Sequence, residues 1–320
     1  MTDEGRLARA LELAERGRGT TAPNPLVGAV IVQGGEVVGE GWHERAGGPH
    51  AEVVALQAAG DRALGATLYV TLEPCAHHGR TPSCADALVE AGIARVVAAV
   101  GDPNPLTNGA GFERLRAAGI QVELPGGETE WRARVQNEAY RTWVSLGRPF
   151  VVYKAAVTLD GRVTVPGSRW VTGEESRRHV HGLRAAVDAV AVGMGTVRAD
   201  SPELTARDVG AARQPRRLAF GRGPLPEGSG LELLSGPPEE ELARLAEEGV
   251  QSLLLEGGPT LATAFVGAGL VDKLLLFVAP TLAGAGPHYL RELAEPLRLL
   301  HASGKAIGDD YLLEAYLREP

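Results

Sequence analysis

Apolar positions along the first half of the chain alternate between strand-like and helical spacing. Residues 27–33 and 37–42 are apolar-rich runs on either side of Gly34-Gly35, which predicts a hairpin. Residues 5–16 and 50–59 have helical spacing. Further strands are expected at 67–72, 95–100 and 121–124, and further helices at 84–91, 112–118 and 128–146. Strands separated by single helices indicate a layered α/β sheet, here with an antiparallel start.

A second α/β alternation begins after Gly147-Arg148-Pro149, where Gly and Pro end the preceding helix. Strands are predicted at 150–157, 188–193, 217–220, 252–256 and 273–278, and helices at 238–248 and 259–268. A length of 320 residues exceeds that of one ordinary domain. We therefore expect two α/β domains, residues 1–146 and residues 147–320.

Composition and charge narrow the classes of function. Hydrophobic residues make up 44% and charged residues 22%, as in globular chains, which excludes a disordered or fibrous protein. The net charge of -8 and the lack of a Lys/Arg run argue against a nucleic-acid partner. No apolar run has the roughly 18–20 residues of a membrane helix, and the amphipathic start is unlike a signal peptide. Two cysteines exclude a disulfide scaffold, so we expect a cytoplasmic protein that binds a small molecule, without a membrane partner.

The strongest candidate for a chemical site in the sequence is a set of three possible metal ligands, His50, Cys75 and Cys84. His50 and Cys84 are expected at helix starts, and Cys75 follows a predicted strand. One imidazole and two thiolates leave the fourth position of a tetrahedral Zn²⁺ site open for water, whose pKa zinc lowers to about 7. Glu52 is then expected to carry protons from that water to the substrate and the departing ammonia. A disulfide, or two unrelated buried thiols, is the alternative interpretation of the cysteines.

The segment between the two cysteines narrows this prediction to one family. Zinc deaminases of nucleosides carry H-x-E with P-C-x-x-C, whereas eight residues, AHHGRTPS, separate the cysteines here. PNPLVG at 23–28, HAE at 50–52, EPCAHHGRTPSC at 73–84 and GDPNP at 101–105 resemble the deaminase half of the bifunctional riboflavin-biosynthesis deaminase/reductases. The resemblance implies a cytidine-deaminase-like αβα sandwich. It also implies substrate contacts at Asn24, His43, His77 and Arg80, although Asn24 and His43 alternatively only order their loops.

The second half resembles the reductase partner of the same family. Four segments carry the resemblance in order: KAAVTLDGR at 154–162, GMGT at 193–196, ADSPELTAR at 199–207 and EGGPTL at 256–261. The resemblance implies a dihydrofolate-reductase-like α/β domain that uses NADPH. The glycine-rich turns offer backbone N–H groups to a cofactor phosphate, and the lack of a G-x-G-x-x-G motif disfavours a Rossmann domain.

The same resemblance assigns roles within the reductase half. It implies that Lys154 and Asp200 take part in catalysis. Substrate-binding positions are Ser168, Arg184, Leu204, Arg207 and Glu256. Cofactor-binding positions are Lys154, Trp170, Thr196, Asp200, Gly257, Gly258 and Thr260. Arg184 and Arg207 are expected to clamp a phosphate, with ordinary surface ion pairs as the alternative.

The sequence departs from its family at the end of the strand predicted at 217–220. Gly221 and Arg222 replace an Asp-Ser pair, and residues 222–252 look shorter than usual, as though a strand and a helix were trimmed. This region, from the end of the strand onwards, is expected to form the wall of the cofactor site that holds the adenosine end of the cofactor. Our hypothesis is that Arg222 contacts the 2′-phosphate of NADPH, and the alternative is weakened cofactor binding.

The sequence therefore predicts a bifunctional riboflavin-biosynthesis enzyme. Its first reaction is the zinc-dependent hydrolytic deamination of 2,5-diamino-6-ribosylamino-4(3H)-pyrimidinone 5′-phosphate. Its second is the NADPH-dependent reduction of the ribosyl side chain, which gives 5-amino-6-ribitylaminouracil phosphate. An active deaminase with an impaired reductase, a tRNA-type nucleic-acid deaminase and a structural-zinc protein are the alternatives. A homo-oligomer, dimer or tetramer, is expected, with apolar strands such as 274–278 of the second domain at the interface.

Overall fold

Contacts divide the chain into two units, Met1–Leu146 and Gly147–Pro320. The structure is a computed structural model that describes residues 2–76, 83–211 and 213–320. Within these ranges, no helix has both the length and the apolar character needed to span a membrane.

Unit 1, Met1–Leu146, is built on one sheet. Its described strands are β1 (Gly28–Gln33), β2 (Glu36–Trp42), β3 (Thr67–Val70), β4 (Arg95–Ala98) and β5 (Gln121–Glu123). The order across the sheet is β2-β1-β3-β4-β5. β1 pairs antiparallel with β2 and β3, and the remaining pairs are parallel, which confirms the predicted antiparallel start.

Six α-helices described in unit 1 cover both faces of this sheet. They are α1 (Asp3–Glu15), α2 (Ala51–Ala59), α3 (Cys84–Glu90), α4 (Ala110–Ala117), α5 (Gly127–Gln136) and α6 (Glu138–Leu146). Successive side chains of a strand point to opposite faces, and β1 shows this directly. Ala29 and Ile31 belong to the core formed with α2, α3 and α4, whereas Val30 and Val32 belong to the core formed with α1, α5 and α6. Unit 1 is therefore an αβα sandwich.

The single helix predicted at 128–146 is divided at Asn137. Asn137 leaves helical geometry, with φ -114° and ψ 21°. Its side chain instead accepts a hydrogen bond from Leu26 N (2.8 Å) and donates one to Leu26 O (2.9 Å). This distant pairing interrupts the helix and ties the 23–28 segment to the α5–α6 junction.

Unit 2, Gly147–Pro320, has a larger sheet. Its described strands are β6 (Phe150–Thr158), β7 (Ala189–Gly193), β8 (Arg216–Phe220), β9 (Glu232–Leu234), β10 (Ser252–Leu255), β11 (Lys273–Ala279), β12 (Leu300–Ile307) and β13 (Asp310–Tyr316). The order is β12-β13-β11-β6-β10-β7-β8-β9. The two pairs that involve β13 are antiparallel and the others are parallel.

The helices described in unit 2 are α7 (Glu174–Ala186), α8 (Met194–Asp200), α9 (Pro238–Glu247) and α10 (Pro259–Gly267). The apolar pattern did not predict α7, α8, β9, β12 or β13. In α7 only Ser176 and Val180 are buried, so its apolar face is too narrow to recognise. β12 is exposed over most of its length, which removes the alternation that marks a half-buried strand.

Two expectations about unit 2 concern the 222–252 segment and the strand at 274–278. The segment between Arg222 and Ser252 contains the strand β9 and the helix predicted at 238–248, which is α9, and Leu234, Leu242 and Leu245 anchor them in the core. The interface expected at 274–278 stays a prediction, and Leu274, Leu276 and Val278 on one face of the strand are only partly buried. This strand, β11, is hydrogen-bonded on both sides, to β6 and β13, and both of its faces pack into cores.

Candidate functional site

The three predicted metal ligands of unit 1 converge on one point. His50 Nδ1 lies 3.2 Å from Cys84 Sγ and 3.7 Å from Cys75 Sγ, and the three ligand atoms all lie within 4.8 Å of one another. His50 is the N-cap of α2, Cys84 is the first residue of α3, and Cys75 lies in the loop after β3. The backbone N–H of Cys84 also approaches Cys75 Sγ at 3.4 Å.

This donor set fits zinc. Ligands bound tetrahedrally at about 2.0–2.3 Å lie roughly 3.5–3.8 Å from each other, close to the separations found here. The hydrogen bond from Cys84 lowers the pKa of Cys75, with added contributions from His50 and the Cys84 N–H, so this thiol is readily ionised. Both cysteines are free, as ligation requires. His50, Cys75 and Cys84 would hold the metal and leave its fourth position for water.

Glu52 lies beside these ligands on the first turn of α2, with only 3% of its surface exposed. Burial raises the pKa of Glu52 to about 7, against an opposing contribution from His50. A carboxyl group with such a pKa can both accept and release a proton near neutral pH. Gly41 helps to place α2, because a Cβ there would lie 2.4 Å from the carbonyl oxygen of Ala51.

Asn24 and His43 form a hydrogen-bonded pair near the metal ligands. Asn24 Nδ2 lies 3.1 Å from His43 Nε2, and His43 Nδ1 lies 2.9 Å from the carbonyl oxygen of Pro49. Donation to Pro49 from Nδ1–H leaves Nε2 to accept from Asn24. Burial lowers the pKa of His43, and its ring packs edge-on against that of His50 at 5.4 Å. His77 and Arg80, the other predicted substrate contacts, lie outside the described residues.

Unit 2 contains a cavity of 1130 Å³. It is lined by the middle of β6 (residues 153–156), by the residues that directly follow β10, and by the starts of α8 and α10. Of the residues predicted for the reductase, the cavity is lined by Lys154, Trp170, Arg184, Thr196, Asp200, Leu204, Arg207, Glu256, Gly257, Gly258 and Thr260. Gly193, Met194 and Gly195 also line it, so both glycine-rich turns reach this space.

Glu256 lies at the centre of an ion cluster in this cavity. Arg184 donates to both of its oxygens, at 2.6 and 3.0 Å, and Lys154 Nζ lies 3.7 Å from Oε2. Burial lowers the pKa of Lys154. Burial would raise the pKa of Glu256, but Lys154 and Arg184 together bring it below the usual value. Arg184 also donates to the carbonyl oxygen of Thr205, so in this structure it holds Glu256 rather than standing free to clamp a phosphate.

The remaining cavity residues differ in their environment. Arg207 is half-exposed and pairs with Glu203. Asp200 is exposed at the end of α8. Trp170 is 53% exposed, and the guanidinium groups of Arg169 and Arg177 lie over its ring at 4.9 and 5.0 Å. Arg169 and Arg177 line the cavity too. The sequence patterns did not single them out.

Two predicted positions do not line this cavity. Ser168 is exposed, and its hydroxyl is used locally, because it donates to the carbonyl oxygen of Trp170 and accepts from the Trp170 N–H. Arg222 is also exposed, in the turn after β8, where its carbonyl oxygen accepts a hydrogen bond from Arg198. Arg222 therefore lies outside the lining of this cavity, and its contact with the 2′-phosphate of NADPH stays a prediction.

Comparisons with known proteins cover both units. Residues 149–313 match the family model described as RibD C-terminal domain. Residues 1–100 match the cytidine and deoxycytidylate deaminase zinc-binding region. The riboflavin biosynthesis protein RibD of Aquifex aeolicus is 41% identical over 97% of each chain, and that of Escherichia coli K12 is 42% identical over 89% of each chain.

The chain belongs to the RibD family. Solved structures agree with this assignment. RibD of Acinetobacter baumannii superposes with a TM-score of 0.86 at 38% identity, over 98% of each chain. A diaminohydroxyphosphoribosylaminopyrimidine deaminase/5-amino-6-(5-phosphoribosylamino)uracil reductase of Thermotoga maritima gives 0.84 at 34% identity, also over 98% of each chain.

Membership in the RibD family confirms the predicted fold class and the general function. The protein is an enzyme of riboflavin biosynthesis that combines a deaminase with a reductase. Zinc belongs to its deaminase half and NADPH to its reductase half. The expected fold, a cytidine-deaminase-like sandwich followed by a dihydrofolate-reductase-like α/β domain, is also confirmed.

Proposed function

We propose that residues 1–146 deaminate 2,5-diamino-6-ribosylamino-4(3H)-pyrimidinone 5′-phosphate and that residues 147–320 then reduce the ribosyl side chain of the product. The observation that carries the proposal is the convergence of His50 Nδ1 with two thiol sulfurs beside a buried carboxyl group. The ion cluster inside the cavity of unit 2 supports the second reaction.

In the deaminase, we assign His50, Cys75 and Cys84 as the zinc ligands. Zinc, when bound, supplies a water molecule of lowered pKa. Glu52 moves two protons in turn: its carboxylate accepts one proton of the water at Oε and delivers it to the pyrimidine ring nitrogen, and it then carries the second proton of the water to the departing amine. Its pKa of about 7 suits both steps at neutral pH.

The neighbouring polar residues orient the pyrimidine. Asn24 and His43 are coupled by a hydrogen bond, and the neutral imidazole presents no charge to the heterocycle. We assign both residues to substrate binding. His77 and Arg80 are assigned to the substrate by family resemblance, with Arg80 at its phosphate.

In the reductase, NADPH supplies the hydride when it is bound. The Lys154 ammonium, held by Glu256, donates a proton from Nζ to the oxygen or nitrogen of the reacting ribosyl group. Asp200, at the cavity wall, is assigned to the same reacting centre. Backbone N–H groups at Gly257 and Gly258, ahead of α10, together with Thr196, Thr260 and Trp170, suit the cofactor. Arg207, Leu204 and Arg184 are assigned to the substrate side.

We further propose that the protein is a homodimer in the cytoplasm. β12 is an edge strand of the unit 2 sheet, and its outer hydrogen-bonding side has no strand partner among the described residues. Tyr311 and Leu313 expose 48% and 43% of their surfaces on the adjoining β13. An exposed edge with apolar neighbours is a template for pairing with a second copy. Sedimentation of the wild type and Leu313→Glu tests this, and a monomeric wild type would reject it.

One assay tests both proposed activities. The purified enzyme is incubated with the diaminopyrimidinone ribosyl phosphate, with and without NADPH, and ammonia and both pyrimidine products are followed. Without NADPH we expect the deaminated pyrimidine to accumulate, and with NADPH we expect its ribityl derivative. An unchanged substrate would refute the deaminase assignment, and accumulation of the deaminated compound with NADPH present would refute the reductase assignment.

A further inference from the structure

Glu73 is a buried carboxylate whose charge no cation neutralises among the described residues. It lies two residues before Cys75, and 4% of its surface is exposed. Burial of a charged carboxylate is costly unless hydrogen bonds replace its hydration. Its four partners are all backbone N–H groups, and all come from one segment, residues 102–112.

The four hydrogen bonds connect Glu73 to the beginning of α4. Oε1 accepts from Gly111 N at 3.0 Å and from Phe112 N at 3.3 Å, within the first turn of the helix. Oε2 accepts from Gly109 N, the N-cap residue, at 3.0 Å and from Asp102 N at 3.3 Å. The first N–H groups of a helix have no partner inside the helix, and a negative charge there is favourable.

The backbone next to Glu73 is in direct contact with the same turn. A Cβ at Gly111 would lie 1.8 Å from the carbonyl oxygen of Pro74, so only glycine permits this approach. On the other side, Cys75 O accepts from Ala85 N at 3.1 Å, and Cys75 Sγ accepts from Cys84 N at 3.4 Å. Cys75 therefore contacts the first turn of α3 directly, while the two residues before it, Glu73 and Pro74, contact the first turn of α4.

We propose that Glu73 is a positioning residue that fixes Pro74-Cys75 against α4, so that Cys75 Sγ stands ready to bind zinc. The inference rests on the proposed zinc-dependent deamination. Affinity for a metal depends on how well the surrounding groups hold its ligands in place, and loss of such support typically weakens binding by about 10–100-fold. Glu73 supplies this support through its hydrogen bonds to the start of α4, whereas Cys84 and Ala85 contact Cys75 from the start of α3.

The test measures zinc affinity in the full-length protein by competition with a chromophoric chelator. Glu73→Gln retains the shape of the side chain but replaces one acceptor oxygen with an NH₂ group that faces two backbone N–H groups. Gly111→Ala displaces Pro74 without changing any charge. Glu113→Gln, an exposed glutamate of the same helix, is the matched control. The absorption of the Co²⁺-substituted protein reports thiolate ligation independently of activity.

We expect Glu73→Gln and Gly111→Ala to bind zinc about 10–100-fold more weakly than the control. Their Co²⁺ spectra should show weakened thiolate ligation, and saturating zinc should restore most of kcat. Affinities and spectra equal to those of the control would overturn the proposal. Unfolding of unit 1 in either variant at saturating zinc would also overturn it, because Glu73 would then support the fold rather than the ligand. Wild-type protein that binds no zinc would instead refute the proposed function.

Discussion

Replacement of Asn137 by alanine removes two buried hydrogen bonds that join the α5–α6 junction to Leu26. Leu26 is 7% exposed, so its N–H and C=O groups would lose their partners with little access to water. Each such group costs about 1–3 kcal/mol, or about 2–6 kcal/mol for the pair. Alanine has a higher helix propensity than asparagine, which offsets this loss of stability by about 0.5 kcal/mol. We therefore expect unit 1 to lose about 2–5 kcal/mol of stability.

The assay follows both activities of one protein during urea denaturation, because a chain of two units does not unfold in a single step. With a urea dependence of about 2 kcal/mol per molar, in the middle of the usual range, the midpoint for loss of deamination should fall by about 1–2.5 M. The midpoint for loss of reduction should not move. Asn108→Ala, at an exposed asparagine of the same unit, is the control. A shift in the Asn137→Ala deaminase midpoint no larger than that of the control would refute the reasoning.

Three further outcomes follow from the two sites. Glu52→Gln should lower the kcat of deamination by about 10²–10⁴-fold, while the zinc content and the reductase activity stay unchanged. Loss of the metal in this variant would contradict the role of Glu52 in proton transfer. Chelation of zinc or alkylation of the thiols should abolish deamination and spare reduction, since both cysteines lie in unit 1; equal loss of both activities would contradict this. Burial lowers the pKa of Lys154, so Lys154 should lose its proton at a lower pH than a free lysine does, and the rate of reduction should decline over the same pH range. A pH–rate profile for reduction that remains flat to about pH 10 would exclude Lys154 as the proton donor.

Local sequence predicted the zinc site because its chemistry lies in short segments. HAE at 50–52 and Cys84 each occur at a helix start, and Cys75 lies in the loop after β3, only nine residues before Cys84. Most of the core strands were also predicted, since their apolar residues are consecutive or alternate, but the three-residue strand β9 was too short to leave such a pattern. The exposed elements β12 and α7 bury too few side chains to leave such a pattern.

The sequence by itself determined the metal-binding chemistry, the two α/β domains and the family. Only the tertiary structure decided which polar groups pair across long distances. Arg184 pairs with Glu256 across 72 residues, and Asn137 pairs with Leu26 across 111. Glu73 similarly finds its N–H partners 29 to 39 residues away. The physical reason is that a buried charged or amide group must find a partner wherever the fold places one, and no local spacing specifies where that is.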